Sequence, residues 1–486
     1  MRLKPILASH PAERGYAGVI TAGAVLMMVP RAATAAPATE VPASAPLWSG
    51  VPFLGILLSI ALLPLLAPRF WERNFPKVAA LWSLLLVLPL IATRGAAGLG
   101  ALWHLLVADY VPFVILLATL YTIGGGIRLG GTPRGSPAVN LAFLGMGTLA
   151  ASLIGTIGAA TVMVRPLLHA NRGRRYRTHT VAFFIFLVAN IGGALTPLGN
   201  PPLFLGFLYG VPFFWTLSLW RQTLLAVGVL LALYAALDLV LWRRESQSWA
   251  TAEIGPPEPL QIEGAHNLLF LAGVVAAVVA SGVWHAGEVS ILGTTAAIQD
   301  LVRDGLLLAM AAGSWWTTRP ATRAANRFTW KPMREVAILF GAIFVTILPV
   351  LEMLRAGAHG HLAGVIGTAR TPARLFWACG GLSSFLDNAP TYLAFLSGVV
   401  GAFYPSLPTG EAVARLVAEH PVYLQALATG AVFMGANTYI GNAPNFMVRA
   451  IAEEEGVPMP SFFGYILRYT FPVLLPTFLL VTWIFF

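Results

Sequence analysis

Asp387 is the one carboxylate in four short polar breaks that interrupt otherwise apolar sequence. The breaks are Ser152-Leu-Ile-Gly-Thr-Ile-Gly-Ala-Ala-Thr161 and Asn190-Ile-Gly-Gly-Ala-Leu-Thr-Pro-Leu-Gly-Asn-Pro-Pro202 in the first half of the chain. Ser383-Ser-Phe-Leu-Asp-Asn-Ala-Pro-Thr391 and Asn437-Thr-Tyr-Ile-Gly-Asn-Ala-Pro-Asn445 follow in the second. Ser152, Thr156, Thr196, Thr391 and Thr438 offer hydroxyls, and Asn190, Asn200, Asn388, Asn437, Asn442 and Asn445 offer carbonyl oxygens suited to a hard alkali cation. A buried carboxylate is costly when ionised and unpaired, so Asp387 is expected to take up a proton or be neutralised by a cation. The expected Na⁺ ligands are Asp387, Asn388, Asn437 and Asn442, with H⁺ competing for the aspartate. The alternative for Asp387 is a helix cap for the segment that follows it.

These breaks need a membrane around them to carry meaning. Of 486 residues, 57% are hydrophobic and only 10% are charged, which marks a polytopic membrane protein. The formal charge of +10 sits in short loops between apolar stretches, so it reads as topology and not as a nucleic-acid surface. The single cysteine, Cys379, excludes an internal disulfide framework. Backbone that leaves helix at membrane depth survives only where protein covers it or water reaches it. Paired breaks in two halves are the mark of a secondary transporter's binding site.

Loop charges order the spans. Crossings are expected at about 48–67, 76–93 and 110–127, with Arg69, Arg73, Lys77, Arg128 and Arg134 on the cytoplasmic side. The stretch 138–169 has arginines beyond both ends, so it is expected to be a re-entrant hairpin turning at Gly155-Thr-Ile-Gly158. A broken span at 178–217 and a return span at 222–241 complete a first repeat, 46–244, and 245–265 is expected to be a cytoplasmic linker. The second repeat, 266–486, has spans at 266–285, 305–318 and 336–354, a hairpin at 373–404, a broken span at 421–455 and a last span at 462–485. The fold class is therefore all-α, with two inverted repeats, each of about five spans plus one re-entrant hairpin, and helices broken at mid-membrane. At the N-terminus, Lys4, Arg14, the apolar run 19–29 and Ala33-Thr-Ala35 read as a signal peptide over 1–36, with an extra anchoring helix as the alternative.

Other polar residues are given lesser roles. Asp238 is expected to be an interfacial ion-pair partner close to Arg243 and Arg244, and Glu352 and His285 to be solvated near outer helix ends. His104, Asp109, Asp300 and Asp304 are expected in outside loops. No arginine or lysine is placed inside the membrane, which favours a cation over a trianionic substrate.

Three stretches carry a family resemblance: Ala189-Asn-Ile-Gly-Gly-Ala-Leu-Thr-Pro-Leu-Gly-Asn-Pro-Pro202, Ser384-Phe-Leu-Asp-Asn-Ala-Pro-Thr391 and Gly435-Ala-Asn-Thr-Tyr-Ile-Gly-Asn-Ala-Pro-Asn445. They resemble the ion transporter superfamily, in the branch of bacterial sodium/proton antiporters and citrate carriers. The Leu386-Asp-Asn-Ala-Pro390 stretch looks like the acidic hairpin motif of antiporter members. Asn437-Thr438 looks like the motif that binds Na⁺ and carboxylates in dicarboxylate carriers. Where relatives often have aspartate, this chain has Asn200. The resemblance implies a non-enzymatic, homodimeric transporter of the bacterial inner membrane that moves Na⁺ and H⁺, with no other cofactor. A sodium/proton antiporter is the first expectation, and a Na⁺- or H⁺-coupled symporter of citrate or a related carboxylate is the second. An intramembrane enzyme finds no H-E-x-x-H or G-x-S-x-G motif.

Overall fold

The computed structural model describes residues 45–131, 133–245, 261–291, 294–357, 360–362 and 370–486. The expected signal peptide at 1–36 and most of the expected linker lie outside the described residues. Among those described, seven helices are long and apolar enough to cross a membrane, as a multi-pass membrane protein requires.

Helix α1 spans Val51–Leu66, and α2 runs Pro68–Leu105, starting on a proline whose missing N–H costs nothing in the first turn. At 38 residues α2 outlasts a bilayer, and it turns at Gly95, where φ 54° and ψ −132° suit a residue without Cβ. The connection expected at 94–109 is therefore helical. A π-helical turn, Leu106–Tyr110, leads straight into α3, Val111–Gly124. Helix α4, Pro137–Ala170, covers the expected first hairpin and bends at Gly155. It is followed by α5 (Thr178–Leu187), a 3₁₀ turn (Ile191–Leu195) and α6 (Pro201–Leu208). The segment expected to run on to 217 stops at Leu208, because Gly210-Val-Pro212 ends it, and a separate 3₁₀ turn, Phe213–Leu219, leads into α7, Trp220–Glu245.

The second half begins with α8 (Asn267–Val283) and α9 (Ile298–Thr317), which starts seven residues before the expected 305, then α10 (Pro320–Ala325) and α11 (Lys331–Arg355). Helices α12 (Pro372–Ser383) and α13 (Asn388–Phe403) flank the break at Asp387. Past α14 (Thr409–Glu419), α15 (Pro421–Met434) and α16 (Ala443–Glu454) flank the fourth break. The chain closes with α17 (Phe462–Tyr465), a π-helical stretch (Ile466–Leu474) and α18 (Leu475–Phe485).

Helices of both halves contribute to two groupings, a scaffold and a core, which meet where α11 packs on α13 and α3 on α4. In the scaffold, α3 lies against α9 and α2 against α11. In the core, α4 packs on α16, α6 on α13 and α7 on α18, while α12 pairs with α15. Loops assigned by charge to one side bind one another. Strand β1 (Arg128–Gly130) pairs with β2 (Gln261–Glu263), Arg172 reaches Glu455 at 3.1 Å, and Arg327 binds Glu454. On the opposite side Arg94 grips Glu352 with two bonds of 2.7 and 2.8 Å, and His104 Nδ1 lies 3.1 Å from Thr294 Oγ1 on β4 (Thr294–Ala297), the partner of β3 (Glu288–Ile291).

Several polar residues depart from their expected places. Asp109 sits in the π-helical turn between α2 and α3, His104 is in the last turn of α2, and Asp300 and Asp304 are on α9, so none of the four is in a loop. Glu352 is ion-paired rather than merely solvated, while His285 is exposed as expected. Asp238 is a salt-bridge partner, but of Arg174 at 2.6 Å, with His179 Nε2 at 2.9 Å. Arg303 is 1% exposed and held by Asp300 and Asp304. Buried arginines do exist here, Arg174 and Arg303 with carboxylates and Arg323 on the Thr122 and Ser314 carbonyls, which removes the inference drawn from their absence.

Candidate binding site at the helix breaks

Each hairpin turn meets a break through the same bond. In the first half, Thr196 Oγ1 donates to the Ser152 carbonyl, and Ser152 Oγ donates to the Gly192 carbonyl at 2.5 Å. In the second, Thr438 Oγ1 donates to the Ser384 carbonyl at 2.5 Å, and Asn437 Nδ2 donates to Ser384 Oγ at 2.9 Å. The two breaks also share a pattern, Gly193-Ala-Leu-Thr-Pro-Leu-Gly-Asn-Pro-Pro202 against Gly435-Ala-Asn-Thr-Tyr-Ile-Gly-Asn-Ala-Pro444. Glycine is needed at Gly199 and Gly441 because a Cβ there would lie 2.2 Å from the Gly193 carbonyl oxygen and 2.6 Å from that of Gly435. The prolines stop α6 and α16 from extending backwards without leaving an amide unpaired.

A chain of buried amides ties the halves together. Asn388 Nδ2 donates to Asn200 Oδ1 at 2.9 Å, and Asn200 Nδ2 reaches the Asn190 carbonyl at 3.4 Å. Asn190 Nδ2 donates to the Ile185 carbonyl and to Asn445 Oδ1, both at 2.7 Å. Asn442 Nδ2 donates to the Ala189 carbonyl at 2.9 Å and to Asn190 Oδ1 at 3.2 Å. Asn445 Nδ2 spans the fourth break, donating to the carbonyls of Gly435 and Thr438. All five asparagines are 2% exposed or less.

In and beside this network, three buried oxygens in the breaks have no hydrogen-bond partner: Thr156 Oγ1, Asn388 Oδ1 and Asn437 Oδ1. Thr156 lies just past the Gly155 turn, where its backbone N–H donates to the Gly199 carbonyl at 2.9 Å. An unpartnered buried acceptor is costly, and a cation is one group that would satisfy it. Asp387 begins α13, where Oδ1 accepts from the Ala389 N–H at 3.1 Å, so it is a helix cap. Thr391 Oγ1 donates to the Asp387 carbonyl at 2.9 Å. Among the described residues, no cluster of three or more His, Cys, Asp or Glu side chains forms a metal-binding group.

The eleven candidate residues thus fall into three groups. Asn388, Asn437 and Thr156 carry free oxygens, while Ser152, Thr196, Thr438, Asn190, Asn200 and Asn442 hold the breaks in shape. Asp387 and Thr391 form the start of α13. Asn445, a further asparagine of the fourth break, also holds that break in shape, and Ser384 was missing from the set. The signal for Ser384 lay in the alignment of the two turns, Ser152-Leu-Ile-Gly-Thr156 against Ser384-Phe-Leu-Asp-Asn388. That alignment puts Gly155 (φ 75°) opposite Asp387, so the two turns differ in charge.

A family model described as "Putative citrate transport" matches residues 42–486. No curated protein matches the chain.

Proposed function

Because the chain belongs to this citrate transport family, we propose that it is a cation-coupled secondary transporter of citrate or a related carboxylate, working by alternating access in the bacterial inner membrane. The observation that carries the cation is the set of three unpartnered oxygens, Thr156 Oγ1, Asn388 Oδ1 and Asn437 Oδ1, in breaks whose other polar side chains are largely engaged. Na⁺ takes such neutral oxygens as ligands, and Asp387 supplies the charge or, once protonated, carries H⁺ instead. The carboxylate is drawn to the amide ends of α13 and α16, which carry partial positive charge. The shared sequence pattern and the two matching threonine bonds support a pair of inverted repeats, with the core moving against the scaffold to open the site to either side.

Sodium/proton antiport is the second reading. It is favoured by the chemistry of the free atoms, which are all oxygens, with Asp387 the one carboxylate in the breaks. Proteoliposomes with a lumenal pH dye separate the two, comparing wild type with Asp387→Asn under Na⁺ and citrate. Labelled citrate uptake that requires a Na⁺ or H⁺ gradient and loses its cation dependence in Asp387→Asn is expected. Proton movement on adding Na⁺ alone, with no citrate uptake, would move antiport to first place. Uptake with no response to either cation gradient would sink both.

A further inference from the structure

Between the scaffold and the core the contact surface is mostly apolar. Phe340, Phe344 and Ile347 of α11 line one seam with Leu205, Pro390 and Leu393 of the core, and a Cβ on Gly124 would lie 3.3 Å from Gly158 Cα where α3 meets α4. Among the described residues, two side-chain hydrogen bonds join the two sets of helices. One, Arg327 to Glu454, has both side chains more than half exposed, so water and salt weaken it. The other is Tyr209 OH to Asp109 Oδ2, at 3.0 Å and partly buried, on the face away from the arginine-rich loops. Tyr209 directly follows α6, the half-helix that leaves the second break, and Asp109 sits in the π-helical turn before α3. The Arg355 guanidinium, in the last turn of α11, is close enough to act electrostatically on both.

From this geometry we infer that Asp109 and Tyr209 are positioning residues for transport: their bond latches the outer end of the broken span to the scaffold and holds the core in the conformation seen here. The inference rests on the alternating-access reading above. A partly buried carboxylate is costly to leave without its hydrogen bond, so Asp109 resists the release of Tyr209, and Arg355 beside it reduces that cost without removing it. Among the described residues the rest of the seam is mostly aromatic, aliphatic and glycine contacts, with the Arg303 guanidinium 5.9 Å from the Phe204 ring centroid, so one hydrogen bond with set geometry weighs heavily in the balance between conformations. A π-helical turn is a common device for aiming a side chain at a functional partner, and here it points Asp109 at Tyr209.

The latch is testable without knowing the substrate. In a Cys379→Ala background, Phe344→Cys and Leu393→Cys place a thiol on each side of the seam, and the rate of cross-linking by a short bifunctional reagent reports how often the seam is closed. Loss of one charge-assisted bond corresponds to a shift of about tenfold in the conformational equilibrium. Tyr209→Phe, which keeps the ring, and Asp109→Ala are expected to slow cross-linking, by up to that factor. Asp109→Asn, whose amide oxygen still accepts from Tyr209, is expected to lie between them and the parent. Each variant is compared only when it elutes as a single species in detergent. Equal cross-linking in the parent and all variants would overturn the latch. A parent whose cross-linking does not respond to citrate with Na⁺ would instead count against alternating access, which keeps the two failures distinct.

Discussion

Asn388 and Asn200, 188 residues apart in the chain, share a buried hydrogen bond of 2.9 Å that fastens the tip of the second hairpin to the break of the first half. Asn200 has both ends of its carboxamide engaged, Oδ1 with Asn388 and Nδ2 with the Asn190 carbonyl. Asn388 gives its N–H₂ to this bond and keeps its oxygen free. The site is therefore neither a property of one hairpin nor of one half, and a substitution on one side is felt on the other.

Asn200→Ala leaves the Asn388 donor buried without a partner, a cost of about 1–3 kcal/mol. We expect a lower melting temperature in detergent together with loss of citrate uptake. Asn200→Asp keeps an acceptor for Asn388 and adds a second carboxylate to the site, so it should fold better than the alanine variant and make uptake more pH-dependent. An alanine variant that melts with wild type and transports normally would show that the bond does not support the site.

Gly155 bends α4 with φ 75° and ψ 154°, a region reached almost only by glycine. A Cβ there would also lie 3.2 Å from the Leu198 carbonyl oxygen. Gly155→Ala is expected to cost about 1–3 kcal/mol from backbone strain and to abolish transport, since the turn sets the position of Thr156. Gly145, in the same helix, has open space where a Cβ would go, so Gly145→Ala should be neutral or stabilise by roughly 0.5–1 kcal/mol. Thermal unfolding of the pair checks the contrast, and equal effects would refute it.

Arg174 and Asp238, both side chains 0% exposed, tie the segment after α4 to α7. The cluster also holds Glu245, His179, Tyr234 and Asn140 around the same two charges. Asp238→Ala removes one of the two carboxylates on Arg174 and the shared partner of His179, Tyr234 and Asn140, and is expected to cost about 3–5 kcal/mol. Arg415→Gln, at a pair whose side chains are 51% and 44% exposed, should change stability by no more than about 0.5 kcal/mol. Chemical or thermal unfolding of both variants in detergent would show the difference, and similar shifts would contradict this account of the cluster.

By itself the sequence determined where helices stop and turn. The breaks at Gly155, Asn190, Asp387 and Asn437 and most helix positions follow from proline, glycine and apolar length, which act between near neighbours. That kind of signal also marked out the candidate residues at the breaks. Only the tertiary structure decided how their polar atoms are shared. Ser152, Thr196 and Thr438 looked like free ligands in the sequence, yet each is spent on a carbonyl of a segment 40 or more residues away, while Thr156, Asn388 and Asn437 keep an oxygen. The arginines and aspartates misplaced into loops show the same limit. Hydropathy registers a charge as something to be kept in water, but burial is decided by a partner, and Arg174 with Asp238 or Asp109 with Tyr209 become neighbours only when segments distant in sequence pack.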